Sequence, residues 1–127
     1  MNIELLTSVK ERILAEPGSF DMNDWFTWRD SSPCGTAACI AGHGYRIRYE
    51  PKETLAEACK NCLTDERSIQ YLMADAFDIN QSMMSNLCYL RCWPQEFASR
   101  YRNALAPKDK AKAAADRIDY FIKTGGE

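Results

Sequence analysis

Apolar residues recur along most of the chain at the three- and four-residue spacing of an amphipathic helix, with no sustained alternation of the strand type. In residues 2–15, Ile3, Leu6, Val9, Ile13 and Leu14 form one such stripe, and Pro17-Gly18 ends it. Residues 54–63 carry Leu55, Ala58, Cys59 and Cys62 on one face. A further helix begins at Thr64 with Ile69, Leu72, Met73, Ala76 and Phe77 inward. Asp78-Ile79-Asn80 breaks that run, and Asn80 suits the cap of the next helix, which turns Met83, Met84, Leu87 and Leu90 inward. Pro94 stands where a first-turn proline belongs. Phe97, Tyr101 and Leu105 continue the pattern until Ala106-Pro107 interrupts it. The last run, from Lys108 through Ala111, Ala114, Ala115, Ile118, Phe121 and Ile122, stops at Gly125-Gly126. The pattern predicts an all-α fold, a single compact domain over residues 1–127 with about six or seven helices.

Residues 35–48 stand apart. A helix there is apolar or small all round until its last turns, as expected of one threaded through the core. Thr36, Cys39, Ile40, His43 and Ile47 then share a face, and Ala38, Ala41, Gly42 and Tyr45 form a smooth opposite strip. Gly42 and Gly44 each cost such a helix about 1 kcal/mol relative to alanine, a loss that close packing offsets or that marks the helix end.

Composition narrows the class. A chain of 127 residues with 46% hydrophobic content can bury a core without metal or disulfide staples. The net charge of −2 speaks against a polybasic nucleic-acid or membrane binder. The start, MNIELLTSVKERIL, is amphipathic and unlike a secretory leader, and no apolar stretch reaches the roughly 20 residues of a spanning helix. The expectation is a soluble cytoplasmic protein, in which the six cysteines are thiols.

The candidate chemistry centres on Cys34, Gly35, Thr36, Cys39 and the single histidine, His43. Cys34 at a helix start would gain thiolate character, but a Cys34–His43 dyad fails on distance, since nine helical residues rise about 13.5 Å. Cys39 and His43, at i and i+4, face each other. They suit a thiol–imidazole contact or part of a metal site, although zinc needs three or four ligands. The preferred reading makes both of them core residues, with the imidazole bonded to a carbonyl, and expects no metal or cofactor.

Residues 72–90 raise a second class. They match a helix-turn-helix whose outward Gln81, Ser82, Ser85 and Asn86 would read base edges, with Asp78 standing where the turn prefers a glycine at positive φ. Asp65, Glu66, Asp75 and Asp78 oppose that reading, because phosphate contacts supply most non-specific affinity. Phe20, Trp25, Phe26, Trp28 and Trp93, with Asp21, Asp24 and Asp30 among them, are expected to cover core ends while the acids cap helices or face water. The lysines of 108–112 are expected to be a solvated first turn.

At CGTAACIAG, residues 34–42, the chain resembles an uncharacterised bacterial family of small all-helical proteins with a Cys-Gly-Thr-x-x-Cys-x-Ala-Gly motif. The further marks are Trp25 and Trp28 before it, Trp93-Pro94 after it, and a closing helix ending Thr-Gly-Gly at residues 124–126. The resemblance implies an all-α bacterial protein without an established activity. In that family tryptophan often stands at the position of His43, which counts against a ligand or base there. The expected role is a non-enzymatic binding or interaction module with a protein partner or a second copy. The alternatives are a nucleic-acid binder and a thiol or metal site.

Overall fold

The computed structural model describes residues 1–23, 26–28, 36–49 and 66–127. The stripe of residues 54–63, the candidates Cys34 and Gly35, and Trp25, Asp24, Asp30, Cys59 and Cys62 lie outside them. The fold is all-α. Among the described residues six α-helices run in the order α1 (Ile3–Ala15), α2 (Ile40–Tyr49), α3 (Glu66–Phe77), α4 (Gln81–Cys88), α5 (Gln95–Asn103) and α6 (Pro107–Thr124). α1 lies against α2 and α6, α2 against α3, α3 against α4, and α5 against α6, so their apolar faces meet in one core.

Local chemistry sets most helix ends. The Asn2 side chain accepts from Leu5 N–H and caps α1, and the Asn80 side chain accepts from Met83 N–H and caps α4. Gly125, left-handed at φ 74°, closes α6, where a side chain would be strained. Between α3 and α4 the chain turns through Asp78 at φ 52°, the conformation expected of that corner. α1 buries Leu5, Leu6, Val9 and Ile13, while Ile3 and Leu14 are exposed.

The helix read over residues 35–48 begins later and is preceded by a ribbon. Thr36–Ala38 forms β2, paired antiparallel with β1, Phe26–Trp28, in the register Phe26 to Ala38 and Trp28 to Thr36. Phe-Thr-Trp is rich in strand-forming side chains, but three residues are too few for alternation to register as a pattern. Thr36 is therefore extended and does not share a helical face with His43. That helix starts at Ile40, and Cys34, read as lying at its start, is outside the described residues. Gly44 of α2 does serve packing. A Cβ on Gly44 would stand 2.5 Å from Phe77 Cζ and 2.8 Å from Met73 Cε, so α3 fits into a notch that only glycine leaves.

Candidate functional site

At the start of α2 the side chains are sealed. Cys39 and His43 are buried, and His43 Nε2 lies 3.0 Å from the Ser19 carbonyl, which accepts its proton. This is the carbonyl-bonded core histidine of the preferred reading. Cys88 of α4 is also buried and donates to the Met84 sulfur at 3.7 Å. Burial first, and then the neighbouring Cys39 thiol, push the Cys88 pKa well above the ordinary 9.0, against the smaller opposing effects of the Ala41 backbone and Arg117. A thiol held protonated in this way is a poor nucleophile and a poor metal ligand. Among the described residues no three His, Cys, Asp or Glu side chains gather as a metal site.

The candidate nucleic-acid face is partly engaged. Asn86 donates its side-chain amide to the Gly126 carbonyl at 3.2 Å, and Ser85 Oγ bonds back to the Gln81 carbonyl at 3.0 Å. Gln81 is half-buried and Ser82 exposed. Of the four proposed base readers, two are thus held by bonds within the protein.

Arg117 was legible by spacing and missed. It stands three residues after Ala114 and four before Phe121 on α6, and is fully buried. Its Nη2 donates to the Asn86 carbonyl at 3.0 Å, and the guanidinium carbon lies 5.7 Å and 5.4 Å from the Tyr120 and Phe121 ring centres. Nε and Nη1 have no hydrogen-bond partner among the described residues. Burial lowers its pKa, with Tyr120 and Cys88 opposing the shift. The two rings supply the attraction that a carboxylate otherwise would.

The residues that meet at a surface are others. A cleft of about 170 Å³ opens where α5 gives way to α6, lined by Pro17 and Gly18 on one side, Leu105, Pro107 and Lys110 on the other, and Phe20, Asp21 and Tyr101 behind. It holds one side chain or a fragment, being smaller than the about 300–1,000 Å³ of drug-sized ligand sites. Larger hollows beside α1 and α2, of about 250 and 340 Å³, are open, with Ser8, Glu11 and Arg12 among their linings.

Backbone and side-chain bonds build the back wall. Phe20 bridges to Ala38 of β2, and Asp21 N–H donates to the Ala38 carbonyl at 3.0 Å. The Tyr101 hydroxyl accepts from Met22 N–H at 3.0 Å and donates to Asp21 Oδ1 at 3.5 Å. Asp21 Oδ1 also accepts from Asn23 N–H at 2.9 Å. Asp21 is therefore buried at 4% exposure and does not face water as the sequence suggested. Lys110, read as part of a solvated turn, holds its ammonium 5.3 Å from the Tyr101 ring centre.

The front of the cleft corrects a second expectation. Leu105, read as the next step of the Phe97–Tyr101 stripe, is 98% exposed, whereas Phe97 and Tyr101 are buried. α5 ends at Asn103, and Ala104 and Ala106 on either side of Leu105 are extended at ψ 128° and 141°. Pro107 explains the extended Ala106, because a proline disfavours the helical region for the residue before it. That signal was present in Ala106-Pro107.

Comparison with protein-family models, curated proteins and solved structures found no match. Among the described residues no helix is long and apolar enough to cross a membrane.

Proposed function

We propose that the chain is a non-enzymatic interaction module, and that a peptide segment of a partner protein docks in the cleft between α5 and α6. The carrying observation is Leu105, 98% exposed at the lip of that cleft. A lone exposed leucine is ordinary, but this one stands with Pro17 and Pro107 around a hollow backed by Phe20 and Tyr101. The segment bearing it is held by helices on both sides, so its backbone loses little freedom when a partner covers it. We further read the chain as a cytoplasmic member of the bacterial family with the Cys-Gly-Thr motif, on the strength of that motif and of the thiols Cys88 and Cys92, which form no disulfide. The nucleic-acid reading ranks second, because Ser85 and Asn86 are already engaged.

A displayed peptide library selected on the purified protein tests this reading. Enriched peptides should shift the amide resonances of Tyr101, Leu105 and Lys110. Leu105→Asp should weaken them at least about tenfold, the worth of burying one leucine, without changing the melting temperature. Failure to enrich any peptide, or equal binding to Leu105→Asp, would overturn it.

A further inference from the structure

The charges around the cleft go further and specify what the docked segment carries. On α6, Asp116 takes both neighbouring cations: Arg100 Nη2 lies 2.7 Å and Lys112 Nζ 3.0 Å from its carboxylate oxygens. Lys110, five residues after Leu105 and half-buried at the cleft, has no ion-pair partner among the described residues and rests only on the Tyr101 ring. Such a contact holds an exposed ammonium weakly, on the order of what a surface ion pair supplies. The acid in the cleft does not compete for this role, since Asp21 lies at the back and its Oδ1 already receives Asn23 N–H and the Tyr101 hydroxyl. The neighbouring chain positions add Arg102 and Lys108, both exposed, against Asp109, also exposed.

We infer that the partner segment presents an aliphatic side chain with a carboxylate beside it, the first packing on Leu105 and Pro107 and the second pairing with Lys110. Lys110 is then a specificity residue. Its ammonium leaves the Tyr101 ring for the incoming carboxylate, and the uncovered ring face adds to the wall on which the aliphatic group packs. The cleft's about 170 Å³ suits one such side chain, with the carboxylate remaining at the half-exposed mouth.

This inference rests on the docking reading above, and its test separates the two. Three synthetic peptides, built on the best library-selected sequence and differing only in Leu-Glu, Leu-Gln or Leu-Lys at the anchor, are titrated by fluorescence anisotropy against wild type, Lys110→Gln and Lys110→Glu. Wild type should bind Leu-Glu about fivefold tighter than Leu-Gln, a preference that fades at high salt. Lys110→Gln should erase the preference, and Lys110→Glu should reverse it toward Leu-Lys. Equal binding of all three peptides by wild type overturns the inference and leaves the docking reading standing. A wild-type preference for Leu-Lys also overturns it, and transfers the specificity to Asp21. Absence of any binding peptide overturns both. Lys110 variants that bind and melt like wild type, with the Leu-Glu preference intact, overturn the assignment to Lys110.

Discussion

The start of α2 and the corner between α5 and α6 divide the protein's chemistry in opposite ways. The first holds the residues that look reactive, Cys39 and His43, and buries both, with the imidazole on the Ser19 carbonyl. The second is made of residues that look ordinary, and it leaves a leucine in water and a lysine without an acid partner among the described residues. Of these two places, the one with the reactive residue types is interior, and the one that opens to the surface is marked by a broken apolar pattern. A side chain's chemistry matters only where the fold leaves it access.

Substitutions can break this contrast or sharpen it. His43→Ala should be the most damaging, costing about 3 kcal/mol through the lost ring volume and the stranded Ser19 carbonyl, as urea denaturation would show. A loss below about 1 kcal/mol would mean that the α2 region is not the tightly bonded interior described. Gly44→Ala should cost about 1–3 kcal/mol, because Phe77 and Met73 must give way, even though alanine favours the helix. The Cys88 thiol predicts a pH effect. Its pKa is raised in the folded protein, so its contribution is fully present below the unfolded thiol's pKa and is lost as pH rises toward the folded value. Stability should therefore fall by about 1.4 kcal/mol per pH unit above roughly pH 8.5–9, and Cys88→Val should flatten that limb. Leu105→Ala should change stability by less than about 0.5 kcal/mol, since its side chain packs on nothing. A larger loss would show that Leu105 belongs to the core after all.

The all-α fold was legible because its helices are amphipathic and carry local stop and cap signals. Asn80 and Gly125 do in the structure what their residue types imply. The ribbon of Phe26–Trp28 and Thr36–Ala38 was not legible, because three-residue strands are stabilised by pairing rather than by pattern. The cleft was half legible. Pro107 foretold a break at Ala106, though not the earlier helix end at Asn103 that exposes Leu105, and the burial of Asp21 depends on Tyr101, 80 positions away. Arg117 shows the reverse failure. Its spacing placed it on the apolar face, and its charge argued it off again, although two aromatic rings lie close enough to hold it there.

The notch at Gly44 also acts as a registration key. Phe77 enters where no Cβ stands, so a screw displacement of α2 by one residue, about 1.5 Å and 100°, would put His43 or Tyr45 where Gly44 stands and drive a side chain into that ring. The key fixes where His43 meets the Ser19 carbonyl, and with it the chain from Pro17 to Asp21 that forms one jaw of the cleft. A missing methyl group on one side of the molecule thereby sets the gauge of an opening on another.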